Sequence, residues 1–189
     1  MKRKIDLAAI SDRDIIKSFY LSQGFLLIIA VCLWMVFAAK LDIDQWFRFD
    51  PVDIIVLGVT SGLVIAGLEI VLDKLLPDAW FDDGGMNTRV FQALSIPHIF
   101  LAMLVVAVVE EILFRGVLFN LLGFTLSSLI FGLVHIRYLK KPLMLTIAVA
   151  LGFYLGWLYM FTGNLFVPMA THFVIDTVLG IVLKKAAGR

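Results

Sequence analysis

The sequence predicts an all-α, polytopic transmembrane bundle of about six membrane segments, with a polar site inside the membrane. Three observations carry that expectation. Hydrophobic residues fill 61% of the 189 positions, charged residues 16%, and mean hydropathy is +1.00, against roughly 45–50% apolar and 25% charged in soluble domains. Apolar runs at approximately 19–39, 54–76, 90–114, 121–136, 143–161 and 165–183 are bounded by charges, Pro or Gly, and most approach the roughly 20 residues a spanning helix needs. Lys and Arg are distributed with a strong bias between alternate sides of these runs.

The first segment follows Lys2, Arg3 and Lys4, a basic start that resembles a signal-peptide n-region. Its apolar run begins only near Phe19 and reaches Ala39, too late and too long for a cleaved signal, so it reads as a spanning helix. Cys32 is the only cysteine; it forms no intramolecular disulfide and is expected to pack against lipid or core. Val31 before it is too bulky for a lipoprotein cleavage site.

The second segment ends in Glu69, Asp73 and Lys74, which read as an interfacial group. A connection at 77–89 follows, and the only other long one is 40–53. Trp46, Phe47, Phe49, Trp80, Phe81 and Tyr138 flank these boundaries as an aromatic belt. In the third segment Pro97 kinks or starts the helix, and His98 should bond a freed carbonyl or interfacial water. His98 lies twelve residues before Glu110, on the order of 18 Å along a helix, which sets it apart from the groups that follow. The fourth segment is short for a full crossing, implying tilt, local thinning or burial.

With the amino terminus in the cytoplasm, that side collects thirteen basic residues: Lys2, Arg3, Lys4, Arg13, Lys17, Lys74, Arg89, Arg137, Lys140, Lys141, Lys184, Lys185 and Arg189. The other side keeps Lys40 and Arg48. Both termini should therefore be cytoplasmic, in a multi-pass protein of the cell (plasma) membrane. A net charge of +1 and no long basic tract leave no nucleic-acid partner to expect. The lipid bilayer is the expected surrounding.

Three polar islands interrupt the apolar runs. Glu110, Glu111 and Arg115 form the first, where each ionised group costs at least about 2.5–3.5 kcal/mol at bilayer depth. Adjacent helical residues point about 100° apart and residues four apart share a face. Glu111 and Arg115 can therefore pair, while Glu110 points elsewhere and needs another partner; both glutamates joining Arg115 in a structural knot is the alternative. His135, one turn after Phe131, is the second island. His172 and Asp176, again four apart, are the third, approached through Gly163, Asn164 and Pro168, with Pro168 in the first turn of its helix or at a kink. A structural His–Asp hydrogen bond between helices is the plain reading of that pair. One hydrated cavity gathering Glu110, His135, His172 and Asp176 would satisfy them all, and a carboxylate with imidazoles around water is what hydrolysis requires.

These islands resemble a known family. Glu110, Glu111 and Arg115 match an E-E-x-x-x-R motif, Phe131 and His135 an F-x-x-x-H motif, and His172 with Asp176 a His followed four residues later by Asn or another small polar residue. Asn164, Leu165 and Pro168 supply the usual approach. In this the chain is similar to the CPBP intramembrane proteases, also called the Abi or CAAX-protease-like family, which includes the type II CAAX prenyl endopeptidases. The match covers roughly residues 90–183, the catalytic core of a single membrane domain spanning 1–189.

The resemblance implies an intramembrane endopeptidase acting on a membrane-associated protein or peptide. Glu110 would be the general base and His135 its partner in activating water; His172 and Asp176 would bind the oxyanion or orient the ring; Glu111 and Arg115 would be the supporting ion pair. Asp176 departs from the Asn of the prenyl endopeptidases, so it must be protonated, act through His172 or hold a metal. The family is often described as metallopeptidases, and Glu110, His135 and His172 are possible Zn2+ ligands. No H-E-x-x-H pair is present, and a glutamate–histidine pair can activate water directly, so the metal-free mechanism is the favoured expectation. A proton- or ion-coupled transporter using Glu110 and Asp176 as carriers, and a non-catalytic membrane partner of bacteriocin-immunity or scaffold type, are the alternatives.

Overall fold

The computed structural model describes residues 7–41, 43, 46–81 and 83–188; Lys2, Arg3, Lys4 and Arg189, counted above for orientation, lie outside them. Among the described residues the chain is helical throughout, with no strand. Helix α1 (Asp12–Phe37) starts where the Ser11 hydroxyl oxygen accepts the Asp14 N–H at 3.2 Å, satisfying one free donor of the first turn. Asp50 does the same for the next span, accepting from Val52 and Asp53. That span opens with a π-helical stretch, Asp53–Val59, and continues as α2 (Thr60–Leu75).

The connection expected at 77–89 contains two short helices, α3 (Asp78–Phe81) and the amphipathic α4 (Met86–Ala93). The third apolar segment accordingly starts later than residue 90. Ser95 caps α5 (Ile96–Glu111), with Pro97 in its first turn, where a missing N–H costs nothing. Pro97 starts this helix. Among the described residues the His98 ring meets Tyr20 rather than a carbonyl: its Nε2 lies 2.8 Å from the Tyr20 hydroxyl, and the two rings stack at 5.8 Å.

A π-helical stretch, Ile112–Leu118, leads from α5 into α6 (Phe119–Leu133). A straight helix would hold Phe114 and Phe131 about 25 Å apart, yet their rings meet edge to face at 5.1 Å. The chain doubles back at Gly123, whose φ of 80° and ψ of 172° belong to a region open essentially only to glycine. The third and fourth apolar segments are thus two arms of one hairpin, joined without a polar loop. Helix α7 (Pro142–Thr162) ends at left-handed Gly163. Asn164 then caps α8 (Phe166–Ala187), its side-chain oxygen accepting the Phe166 N–H at 3.0 Å.

Five helical runs are long and apolar enough to cross a membrane, the α5–α6 hairpin counting as one run. The protein is a multi-pass membrane protein. Large side chains such as Leu21, Met35, Val56, Leu63 and Phe161 face outward, as lipid contact requires. Cys32 is exposed with them. Small residues let the inner helices approach closely: a Cβ on Gly152 would stand 2.5 Å from the Ser128 carbonyl oxygen, which keeps α7 against α6.

Three of the belt residues turn inward, Phe81 among them, half-buried and lining a cavity. Trp46 is buried against Gly116 and packs with Val117 and Tyr159, while its carbonyl accepts the Leu165 N–H at 2.9 Å. Tyr138 is half-buried and faces a cavity. Phe47, Phe49 and Trp80 are exposed.

Candidate active site

The polar islands converge. Gln23 of α1, Glu69 of α2, Glu110 of α5, His135 after α6, and His172 and Asp176 of α8 all line one cavity of about 450 Å³. It is large enough to hold the water that these groups need inside an apolar bundle. Glu69 and Asp73, read from the sequence as interfacial, also line it.

The two glutamates separate as helix geometry requires. Glu111 is fully buried and Arg115 nearly so, and Arg115 Nη1 donates to Glu111 Oε1 at 2.9 Å. The guanidinium's other end donates to the Gly152 carbonyl at 2.9 Å, and its central carbon lies over the Phe131 ring, 4.3 Å from the centroid. Three kinds of contact thus replace the water that this cation would otherwise hold. The knot takes one glutamate only. Glu110 instead accepts from the Gln23 amide at 3.2 Å, and its Oε2 is buried with no partner among the described residues.

His172 shares the cavity with Glu110, and its Nδ1–H donates to Glu111 Oε1 at 2.9 Å, the oxygen that Arg115 also uses. Its Nε2 lies 3.3 Å from Asp176 Oδ2. The His172–Asp176 pair therefore forms within α8, and the link between helices is His172 to Glu111. A neutral imidazole donates through only one nitrogen, whereas these two carboxylates together offer acceptors to both.

His135 is set by the turn that holds it. Its Nδ1 lies 2.8 Å from the Phe131 carbonyl. A carbonyl only accepts, so Nδ1 carries the proton and the neutral ring keeps its lone pair on Nε2. Phe131 also lies against the imidazole at 5.4 Å between ring centres, and Tyr138 stacks on it at 5.5 Å.

The cavity mouth is tied by a small polar network. Arg137 contacts Asp83 at 3.3 Å and donates to the Asn87 side-chain oxygen at 3.1 Å, while the Asn87 amide donates to the Tyr138 hydroxyl at 3.0 Å. Burial pushes the Tyr138 phenol above its usual range, against the opposing Asn87 hydrogen bond, so the hydroxyl stays neutral at physiological pH. The network joins the 77–89 connection to the basic turn after α6.

Sequence reasoning misses Gln23, Asp83 and Asn87, and it reads Glu69 and Tyr138 as interfacial. For Gln23 a signal existed: an amide heading the otherwise apolar stretch 24–39 needs a partner. Glu69 shares its signal with Asp73, since carboxylates four apart on α2 can face the same cavity.

Zinc was one expectation for Glu110, His135 and His172. Among the described residues no three His, Cys, Asp or Glu side chains are arranged to hold a metal ion. His172 has a carboxylate against each ring nitrogen, Glu111 at Nδ1 and Asp176 at Nε2.

Fold and site thus define a polytopic α-helical membrane protein with a carboxylate–imidazole cavity inside the bundle. The profile of the family described as "Type II CAAX prenyl endopeptidase Rce1-like" matches residues 92–178. The chain is 43% identical over 137 residues to the "Uncharacterized protein YpbD" of Bacillus subtilis (strain 168), an alignment covering 72% of each chain. No solved structure matches it. The chain belongs to the Rce1-like family of CAAX-type membrane endopeptidases.

Proposed function

We propose that this protein is an intramembrane endopeptidase that hydrolyses a peptide bond of a membrane-associated protein or peptide. The observation that supports this best is the pairing of two bases in one cavity: Glu110, with a free buried oxygen, and His135, with its lone pair on Nε2. Glu110 takes a proton from water as the hydroxide oxygen bonds to the scissile carbonyl carbon; His135 Nε2 accepts the water's other hydrogen as a hydrogen bond and holds its orientation. The carbonyl π electrons move onto oxygen, where His172, as the imidazolium with Nδ1–H on Glu111, offers its Nε2–H. Collapse of the tetrahedral species breaks the C–N bond, and the proton held by Glu110 passes to the leaving nitrogen.

Glu111 orients His172 by holding Nδ1, so it is a positioning residue as well as the counter-ion of Arg115. Asp176 holds Nε2 in the resting enzyme and must yield to the oxyanion, acting through the ring. The metal-free reaction is the one this donor set supports. In our reading the protein sits in the cell membrane with both termini in the cytoplasm, and the cavity mouth, beside Arg137, opens to that side.

The test compares membrane proteomes of a strain lacking the gene, complemented with wild type or with Glu110→Ala. A shared set of uncut proteins in the null and Glu110→Ala strains is expected, and His135→Ala should reproduce it. Wild-type processing by Glu110→Ala would overturn the proposal and favour a binding role instead.

A further inference from the structure

We infer that Gln23, on α1 and outside the family-matched residues 92–178, is a positioning residue that clamps the base Glu110 and shares its water. The inference rests on the reading of Glu110 given above and extends the site to a helix that the family motifs do not touch.

The amide has one possible orientation. A carboxylate only accepts, so the group facing Glu110 Oε1 at 3.2 Å is Nε2–H. Gln23 is 7% exposed and Glu110 8%, so this contact is shielded from bulk solvent. One oxygen of each side chain stays buried and unpartnered, Gln23 Oε1 and Glu110 Oε2. Both residues line the catalytic cavity. Two acceptors on hydrogen-bonded neighbours call for a ligand with two donors, and a water molecule supplies them.

Fixing Oε1 leaves Oε2 as the atom that receives the proton. Gln23 Oε1 and His135 Nε2 then share the second water hydrogen as the two acceptors of one bifurcated bond, which narrows the orientations the water can take. Attack requires such alignment, because only a fraction of rotational states lead to the carbonyl carbon. Nothing else on α1 does this: the described polar side chains next along the helix, Tyr20 and Ser22, bond His98 and the Phe19 carbonyl.

The experiment uses purified full-length protein in lipid nanodiscs, with membrane vesicles from the gene-lacking strain as substrate. Mass spectrometry reads initial rates of peptide release at rising vesicle concentration. Gln23→Met, close in size but without hydrogen-bonding groups, should lower apparent kcat about 10–100-fold with apparent KM within about twofold, and its thermal unfolding should stay near wild type. Gln23→Asn, an amide one methylene short of Glu110, carries the same expectation should the Met variant not accumulate. Wild-type kcat in either variant overturns the assignment, as does a kcat loss accompanied by an equal rise in KM. Glu110→Ala run alongside separates the two claims: full activity there sinks the reading of Glu110, whereas an inactive Glu110→Ala beside a fully active Gln23→Met sinks only the role of Gln23.

Discussion

His172 Nδ1 and Arg115 Nη1 meet at the same atom, Glu111 Oε1, each 2.9 Å away. One buried oxygen therefore carries both the fold's internal cation and the orientation of an imidazole facing the cavity. Glu111→Gln tests this coupling. The amide keeps the size of the side chain but not its charge, so His172 loses its ionic acceptor and Arg115 its counter-ion. Processing of the uncut substrates should fall about 100-fold or more, on the scale of losing an oriented oxyanion donor, together with a lower thermal unfolding temperature. A variant that unfolds earlier but cleaves at wild-type rate would separate the two roles.

Arg115→Ala should fail by destabilisation. It leaves Glu111 as an unpaired buried carboxylate, a change worth about 3–5 kcal/mol. Arg115→Lys should rescue little, since one compact ammonium cannot reach Glu111 and the Gly152 carbonyl at once and also sit over Phe131. Yield of detergent-soluble monodisperse protein and its unfolding temperature measure both; wild-type values for Arg115→Ala would refute the knot.

Gly123→Ala should be costly despite open space, because no atom lies within 4 Å of the added Cβ. The penalty is backbone strain at φ 80°, ψ 172°, about 1–3 kcal/mol. Gly24, helical and equally open, is the control: Gly24→Ala should be neutral or slightly stabilising. Equal unfolding temperatures for the two variants would show that the hairpin bend is not strained by a side chain.

The helix ends make a prediction about sidedness. Asp12 binds Arg89 at 2.6 Å, and Lys184 donates to the Phe91 and Gln92 carbonyls, so the start of α1, α4 and the end of α8 share one end of the bundle. Arg48, bound to Asp53, lies before the start of the second span. In a Cys32→Ala background, Lys140→Cys should react with a membrane-impermeant maleimide only after the cytoplasmic face is opened, and Arg48→Cys in intact cells. The reverse pattern would invert the orientation.

Much of this was legible from residue spacing, and the gaps have a common cause. The division of labour between Glu110 and Glu111 follows from 100° per residue within a single helix, as does the His172–Asp176 pairing. Contacts between helices are different. That His172 reaches Glu111 depends on how α8 is rotated against α5, and that Gln23 reaches Glu110 depends on where α1 docks; no periodicity within one segment encodes either. Trp46 misleads for a related reason: an indole at a loop reads as a belt anchor unless one knows that Gly116 opposite leaves a slot for it. The hairpin was half visible, as a fourth segment too short to cross, but the reversal is written in a single glycine.

The sequence separation of the buried contacts bears on how the protein is made. Glu111 and Arg115 emerge from the ribosome 37 residues before the Gly152 carbonyl, counted from Arg115, and 61 residues before His172, counted from Glu111. At roughly 5–20 residues per second the nascent glutamate waits about 3–12 s for its imidazole. Through that interval the α5 arm carries polar groups that lipid disfavours and that only later helices complete. Nascent chains arrested before His172 are expected to stay crosslinkable to the insertase, and loss of crosslinking before α8 is made would show that the Glu111–Arg115 pair alone suffices.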